Sequence, residues 1–253
     1  MGKKILGIPD PHAKPGTHNK RADYLSNLII DERPDIVVNM GDGADMESLA
    51  SYDKGKRSFY GKSYKGDIDA HLDFQSRMWD KVRARKKKLP DRYFLIGNHE
   101  YRIERALDLS PELEGTIGYK DLDLDTYYNE VIDYTGQTPG IKIIEGIAFA
   151  HYFTSGLKGL PIGGEHAAYT LLSKNWKSSV QGHSHLLDYC IRTDTEGNKL
   201  HGLVCGVYQD YDAPWAGNIN NLWWRGCVIL DNAEDGQYDL RCISMKSLEA
   251  AYG

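Results

Sequence analysis

The sequence has no apolar run that approaches the roughly 18 residues needed by a membrane-spanning helix. Its N-terminal segment, Met1 to Asp10, also lacks the long apolar stretch and the small-residue cleavage site of a secretory signal. Asp10 belongs to the first motif described below, so cleavage there would destroy that motif. We therefore expect a cytoplasmic protein that has no membrane partner.

Cysteine is also scarce. The sequence has 4 cysteines, all in its last quarter, and no two of them form a C-x-x-C pair. This spacing argues against a zinc ribbon. We expect Cys190, Cys205, Cys227 and Cys242 to be unpaired strand residues in a reducing compartment.

A strong excess of one charge is missing as well. The formal net charge is -5, which argues against a protein that coats nucleic acid by bulk electrostatics but not against a local basic groove. No internal repeat, low-complexity tract or linker interrupts the 253 residues, of which 41% are hydrophobic. These features predict one domain, residues 1–253, with a sizeable core.

Short apolar segments alternate with polar motifs in the first part of the chain. Lys3–Pro9, Asp35–Met40 and Arg92–Ile96 are predicted to be buried strands, and Asn19–Glu32 is predicted to be an amphipathic helix. From about Ile141 onward, strands joined by short loops replace this alternation. The predicted strands there are 141–145, 147–151, 178–181, 186–193, 199–205, 225–230 and 238–244. The chain is therefore predicted to fold as an α/β protein in which helices flank a mixed β-sandwich.

Five short motifs of metal-binding residue types follow one another along the chain. They are Asp10-Pro11-His12, Gly41-Asp42, Gly97-Asn98-His99-Glu100, the lone His151, and Gly182-His183-Ser184-His185. The first three follow predicted strands, at the edge where catalytic groups converge in layered α/β folds. Together the five motifs supply seven His, Asp or Asn ligands and one spare histidine, which is about what two adjacent divalent ions and a general acid require.

The spacing within the motifs predicts how the side chains converge. Asp10 and His12 are two residues apart, as are His183 and His185, and such residues point the same way in an extended strand. Asp42 ends a strand and is followed by glycine, which suits a carboxylate that bridges two ions about 4 Å apart. Asn98 offers a neutral oxygen where another carboxylate would overcompensate the charge.

This ordered set resembles the calcineurin-like metallophosphoesterase superfamily, whose pattern is D-x-H, G-D-x-x-D or G-D, G-N-H-[DE], a lone H and G-H-x-H. The similarity runs from residue 10 to residue 185. The compact chain is also similar to the stand-alone enzymes of bacteria and their viruses. The resemblance implies a calcineurin-like sandwich fold and metal-dependent hydrolysis of a phosphate ester, with attack by a metal-bound hydroxide.

The resemblance also implies the role of each residue. One ion would be held by Asp10, His12 and His185, the other by Asn98, His151 and His183, and both by Asp42. His99 would be catalytic, because it would donate a proton to the leaving group or stabilise the charged phosphate. Manganese is our first choice for both divalent ions because their ligands are mixed oxygen and nitrogen atoms, with iron, zinc, nickel or magnesium as alternatives.

The chain departs from the superfamily's protein phosphatases at one point. Those enzymes carry an arginine shortly after the second motif and another before G-N-H-E, and both grip a monoester phosphate. Here Gly43-Ala44-Asp45-Met46 follows Asp42, and Leu95-Ile96 precedes Gly97. Together with the basic aromatic segment described below, this favours a phosphodiesterase or nuclease acting on nucleic acid, such as DNA, or on nucleotides. The alternatives are a phosphomonoesterase for phosphoprotein or a small metabolite, and a binding protein with a dead site. The oligomeric state is not indicated.

The region 43–89 is irregular and is predicted to be an insertion that could serve as a substrate flap, with a helix over 67–88. Its basic, aromatic stretch includes Lys54, Lys56 and Arg57, which are predicted to bind substrate. A solvated loop with tyrosines covering the core is the alternative.

Two residues near His99 have open interpretations. Arg102 follows His99 at helical spacing and could contact a substrate phosphate, or it could be an ordinary surface charge. Glu100 could orient a metal-binding or catalytic histidine, or it could be an acid at a helix N-terminus. Farther along, the aromatic residues of 208–215 and Trp223-Trp224 are interpreted as core or interface packing.

Overall fold

The computed structural model describes residues 2–253. The strands are β1 (Lys3–Ile8), β2 (Ile36–Asn39), β3 (Asp91–Leu95), β4 (Glu130–Ile132), β5 (Lys142–Ile144), β6 (Ile147–Ala150), β7 (Thr154–Ser155), β8 (Leu160–Pro161), β9 (Ser179–Gln181), β10 (Leu187–Thr193), β11 (Lys199–Cys205), β12 (Gly226–Glu234) and β13 (Gln237–Ser244). The helices are α1 (Lys20–Glu32), α2 (Tyr64–Arg85), α3 (Arg102–Leu109), α4 (Leu124–Tyr127), α5 (Ala167–Asn175) and α6 (Met245–Tyr252).

Two mixed sheets carry the fold. The first has 6 strands in the order β13-β12-β1-β2-β3-β4, and β1 through β4 run parallel to one another. The second has 5 strands in the order β10-β11-β9-β6-β5, where β6, β9 and β11 are parallel. The strands β7 and β8 form a separate antiparallel pair. Parallel neighbours place their carboxyl ends at one edge, which is where the polar motifs follow.

The sheets face each other across one core and are covered by helices on their outer sides. In β1, Ile5 packs between the sheets, whereas Leu6 and Ile8 pack against the helices. Burial on both faces explains why the second half of β1, residues 5–8, has no polar side chain and does not alternate. The outer face of the second sheet packs Ala150 and Val204 against α5. The layers are therefore helices, sheet, sheet and helix.

The long helices are held by their apolar faces. In α1, Leu25, Leu28 and Ile29 are buried, and the helix ends at Arg33, whose backbone is left-handed (φ 51°). In α2, the Ser63 hydroxyl accepts a hydrogen bond from the amide of Gly66, which caps the first turn. Phe74, Met78, Trp79 and Val82 of α2 are buried against α1 and the first sheet.

The observed architecture confirms the predicted mixed sandwich with flanking helices. The predicted strands agree with β1, β2, β3, β5, β6 and β9 through β13 to within a few residues at each end. The helix predicted over 67–88 runs instead from Tyr64 to Arg85, because the serine cap sets an earlier start. The pattern did not indicate α4, α5, α6, β4, β7 or β8. Among residues 2–253, no helix is both long and apolar enough to cross a membrane.

The region 43–89 has two parts with different environments. Residues 64–85 form α2, whose apolar face belongs to the core. Residues 51–62 form short helical turns with exposed Lys54, Lys56 and Arg57 side chains. The flap therefore stays a prediction for the turns alone, since a helix packed into the core cannot act as one.

Candidate metal centre

The five motifs all lie on loops that directly follow strands. Asp10 and His12 follow β1, Asp42 follows β2, Asn98 and His99 follow β3, His151 follows β6, and His183 and His185 follow β9. The first three loops come from one sheet and the last two from the other. The loops meet because the carboxyl ends of these parallel strands lie at neighbouring edges of the sandwich.

The predicted extended conformation of the Asp10-Pro11-His12 and His183-Ser184-His185 segments was wrong. Asp10, His12, His183 and His185 do not lie on extended strands, because their φ angles are 43°, 45°, 68° and 61°. Asp42 is also left-handed, with a φ of 50°. The side chains therefore converge through tight left-handed loops and not through the pleat of a strand. Such a conformation costs an L-residue on the order of 1 kcal/mol, so strain is concentrated at this centre.

Glycines within the motifs allow the loops to touch. A Cβ atom at Gly97 would lie 2.2 Å from Oδ1 of Asp42, and one at Gly182 would lie 2.6 Å from Oδ1 of Asp10. Neither carboxylate could keep its position beside a larger residue. These two glycines are therefore required by the carboxylates that face them.

The first group of candidate ligands is Asp10, His12 and His185. The Nε2 atoms of His12 and His185 lie 3.2 Å apart, and Nε2 of His185 lies 3.6 Å from Oδ2 of Asp10. All three residues are buried, and one ligand atom from each lies within 4.8 Å of the others. They could hold one ion between them.

The second group is Asp42, His151 and His183, with Asn98 beside them. Nε2 of His151 lies 3.4 Å from Oδ2 of Asp42 and 2.8 Å from Oδ1 of Asn98. The His151 Nδ1–H donates to the carbonyl of Met40 at 2.8 Å. This hydrogen bond fixes the ring so that its other nitrogen faces the cluster, as is usual for a metal-binding histidine.

Asp42 lies between the two groups. Its Oδ2 atom is 3.8 Å from Nε2 of His12 and 3.4 Å from Nε2 of His151. Oδ1 accepts a hydrogen bond from the backbone amide of His99 at 2.9 Å. A single carboxylate thus faces both groups, which is the position that a bridging ligand would occupy.

The electrostatics of the cluster fit a cation. Burial raises the pKa of Asp10 to about 7, and its Oδ1 atom is buried without a hydrogen-bond partner. Burial opposes ionisation of Asp42 too, but the charge of His151 and a hydrogen bond from its ring hold the pKa of Asp42 well below the usual value. Burial lowers the pKa of His183 to about 3, so that imidazole is neutral and has a free lone pair at neutral pH. Two adjacent cations would satisfy these buried oxygen and nitrogen atoms together.

His99 belongs to a different set of contacts. Its Nδ1 atom lies 2.8 Å from Oδ1 of Asp45, and its Nε2 atom lies 3.0 Å from Nη2 of Arg102. Nε2 is also 3.8 Å from Oδ2 of Asp42, so geometry alone would admit His99 as a ligand together with His12 and Asp42. The guanidinium charge beside Nε2 opposes a metal ion at that nitrogen. His99 is therefore better placed to act on a substrate beside the ions than to bind one.

Sequence reasoning missed Asp45. This buried carboxylate lies 3.5 Å from Nδ1 of His12 as well as next to His99, and hydrogen bonds from both rings overcome burial and hold its pKa well below the usual value. The signal was present, because Gly41-Asp42-Gly43-Ala44-Asp45 matches the longer G-D-x-x-D form of the motif. Asp45 orients both histidines.

Arg102 is buried rather than a surface charge. Its Nη1 atom donates to the carbonyls of Asp45 and Met46, and its Nη2 atom donates to the hydroxyl of Tyr52 at 2.7 Å. Tyr52 lies at the start of the basic turns, so this contact joins the turns to the centre. In the described part of the chain, no hydrogen bond or ion pair joins Lys54, Lys56 or Arg57 to a candidate ligand. Lys56 pairs instead with Asp53 at 3.0 Å.

Glu100 has neither of the roles considered from the sequence. Its carboxylate is fully buried and accepts hydrogen bonds from the amides of Asp42, Ala44 and Gly97, each at 2.9 Å. It therefore fixes the loop of Asp42 against the loop of Asn98. The contact could not be inferred from spacing, because it joins two separate motifs through the backbone.

The sequence matches the model of the calcineurin-like phosphoesterase family over residues 3–206. A comparison with curated proteins finds no match.

Three solved structures are distantly similar to this chain. One crystal structure is 11% identical, with a TM-score of 0.46, 96% of this chain covered and 99% of the other. TT1561 of Thermus thermophilus is 10% identical, with a TM-score of 0.39 and coverage of 96% and 99%. GAP50, the anchor in the inner membrane complex of Plasmodium, is 11% identical, with a TM-score of 0.36 and coverage of 99% and 95%. At these values the similarities add nothing to the family match.

The family model spans most of the chain and includes all five motifs, whose side chains lie together in the fold. Members of this family hydrolyse phosphate esters with the help of divalent metal ions. The chain therefore belongs to the calcineurin-like phosphoesterase family and is a metal-dependent phosphoric ester hydrolase.

Proposed function

We propose that this enzyme is a phosphodiesterase that uses two divalent ions, with manganese as the first choice, and acts on nucleic acid or nucleotides. The observation that carries the two-ion part is the position of Asp42 between two separate ligand groups. In this proposal Asp10, His12 and His185 hold one ion. Asn98, His151 and His183 hold the other, and Asp42 is shared.

The ions, when bound, would activate water and neutralise charge on the phosphoryl oxygens. The residues around the ions would protonate the leaving group and position the substrate. His99 would supply a proton to the departing oxygen from Nε2, which accepts a hydrogen bond from Arg102 in the structure and would first have to take up a proton. Asp45 would hold its Nδ1–H and keep the ring in place. His99 and the candidate ligands Asn98 and His183 are partly exposed, whereas the remaining candidate ligands are buried. The substrate would therefore approach from the side of these three residues.

The preference for a diester rests on the two arginines that are missing from the monoester-binding positions. One observation favours the alternative, a phosphomonoesterase. Arg102 places a guanidinium group 3.0 Å from His99, where its positive charge would favour the extra negative charge of a monoester phosphate. The two functions differ in which substrate class is turned over faster.

A direct comparison of substrates tests the proposal. We expect the Mn²⁺-loaded enzyme to hydrolyse bis(p-nitrophenyl) phosphate with a kcat/KM at least about tenfold above that for p-nitrophenyl phosphate, since only the monoester needs the missing grip. Cyclic nucleotide and single- and double-stranded DNA would be assayed under the same conditions. A preference for the monoester would overturn the diesterase proposal and support the Arg102-dependent alternative.

The basic turns are proposed to bind the phosphate backbone. Changing Lys54, Lys56 and Arg57 to Ser should weaken DNA binding and reduce the slope of log K against log salt concentration by about 0.7 for each single-strand phosphate that the protein no longer neutralises. The measurement is a salt titration followed by fluorescence anisotropy. Arg85, Lys87 and Lys88 form a matched control, because they carry the same charges and are also exposed, at the end of α2. Equal losses in both triple variants would show a bulk charge effect, which would contradict a specific role for the turns.

We also propose a cytoplasmic location. All four cysteines are free, and Cys205 and Cys227 are fully buried on neighbouring parts of the sandwich. Free thiols in strands suit a reducing compartment.

A further inference from the structure

A group of exposed apolar side chains lies directly beside the metal centre. The indole of Trp223 contacts the ring of His185 edge-on, with ring centroids 4.4 Å apart and planes at 86°. Trp215 lies next to Trp223 at 5.7 Å and is 72% exposed. Ile219 and Leu222, on the same segment, are 54% and 67% exposed. We call Trp215, Ile219, Leu222 and Trp223 the aromatic shelf.

This arrangement corrects the interpretation of the aromatic residues as core or interface packing. Tyr208 is fully buried, and the partly buried Trp224 packs against the core between the sheets, so that interpretation is right for both. Trp215 presents most of its indole to solvent, so core packing is wrong for this residue, and interface packing stays a prediction. Exposed indole of this kind is costly in water and marks a binding surface when it lies beside a functional site.

The shelf is held firmly at its end near the centre. The amide of Trp224 donates to the carbonyl of His185 at 3.0 Å, and the carbonyl of Trp224 accepts from the amide of Val207 at 2.9 Å. Trp223 is therefore tied to the same loop that carries His185. The position of Trp223 therefore depends on the position of the loop that carries His185.

The conformation of the outer part of the shelf is held by hydrogen bonds of one side chain. Asn220 accepts a hydrogen bond from the amide of Ala213 and donates to the carbonyls of Ala213 and Gly217, each at 2.9 Å. The helical turns of Pro214–Leu222 are thus folded back on themselves around Trp215. Because the segment is preorganised, a ligand that stacks on Trp215 would not need to order it first.

We propose that the aromatic shelf binds a nucleobase of the substrate, next to the phosphate at the metal centre. This proposal rests on the proposed function. Since Trp223 contacts the candidate metal ligand His185, one substrate molecule could place its phosphate at the metal centre and another group on the shelf. Indole faces stack on bases of any sequence, and Asn218 and Asn221 place exposed amides on the same segment, where they can pair with base edges. An aliphatic ester would leave the indole of Trp215 without a planar partner.

Binding measurements test the shelf without depending on turnover. The probes are fluorescently labelled single-stranded dA10 and a decamer of the same charge in which every base is absent. Anisotropy would be recorded with Mn²⁺-loaded protein that carries His99→Ala to suppress cleavage. We expect the parent to bind dA10 at least about tenfold more tightly than the abasic decamer, as stacking on an aromatic side chain predicts. Unlabelled 5′-dAMP as a competitor distinguishes a mononucleotide site from a strand site.

The variants separate the shelf from general aromatic binding. Trp215→Ala should reduce the preference for dA10 to about twofold or less, whereas Trp215→Phe should keep most of it. Trp176→Ala is the matched control, because Trp176 is 83% exposed but lies at the end of α5, beside Tyr169 and Leu200. We expect Trp176→Ala to bind like the parent.

Several outcomes would overturn the proposal. An unchanged preference in Trp215→Ala would do so, and so would an equal loss in Trp176→Ala. A concentration-dependent dimer that Trp215→Ala dissolves would assign the shelf to a second copy of the chain. Failure is distinguishable from failure of the proposed function. If the enzyme hydrolyses diesters but shows no preference for bases, only the proposal for the aromatic shelf is contradicted. If it cleaves only monoesters but shows a base preference that depends on Trp215, only the diesterase proposal is contradicted.

Discussion

Replacing Asp42 with Asn is expected to abolish metal binding and hydrolysis together. The Oδ2 atom of Asp42 faces His12 on one side and His151 on the other, so the substitution removes the one negative charge shared by both ligand groups. Changes in residues that merely support metal ligands commonly lower affinity by about 10- to 100-fold, and a shared ligand should cost at least the upper value. Metal content after dialysis, measured by mass spectrometry, and hydrolysis of bis(p-nitrophenyl) phosphate give the two readouts.

Asp69→Asn provides the matched control for this change. Asp69 loses the same charge but is exposed on α2, where it pairs with Lys65. It should keep two metal ions per chain and full activity. Circular dichroism would verify that both variants are folded. An Asp42→Asn enzyme that still bound two ions would contradict a bridging role, even if its activity were low.

The second large effect is expected from His99→Ala, which should lower kcat by about 100- to 10,000-fold while the metal content stays that of the wild type. His99 is held by Asp45 through Nδ1, and its Nε2 atom adjoins Arg102 rather than a second ligand group. Loss of a proton donor matters most when the leaving group is a poor one. The effect should therefore be largest for an alkoxide leaving group and smallest for p-nitrophenolate.

A series of esters with leaving groups of different pKa gives the measurement. A steeper dependence of log kcat on leaving-group pKa in His99→Ala would support proton donation. An equal loss for every ester would assign His99 to stabilisation of the phosphate instead. Loss of bound metal would place His99 among the ligands, which the neighbouring guanidinium group argues against.

The sequence predicted the layers of the fold and the members of the cluster for the same reason. A buried strand followed by a polar loop is a local pattern, and the five motifs are each contained in a few consecutive residues. Asp45 was within reach of such reasoning, because it stands three residues after Asp42. The assignment of the seven candidate ligands and of His99 stays a prediction until metal is measured.

Other features could not be predicted, because they depend on contacts between distant segments. Spacing alone cannot tell whether an arginine on a helix faces solvent, and Arg102 is buried only because Asp45, Met46 and Tyr52 surround it. Glu100 binds the amides of two other loops. Trp215 and Tyr208 occur in one aromatic run, yet they lie in opposite environments because a turn separates them.

The left-handed backbone at Asp10, His12, Asp42, His183 and His185 has a consequence for engineering. Copying these five side chains onto the straight strand ends of another scaffold would aim them in different directions, however faithful the choice of residues. A transplanted centre would have to include the loops themselves, together with the glycines that face the carboxylates. The catalytic unit that can be moved between proteins is therefore a set of backbone shapes, and the ligands come with them.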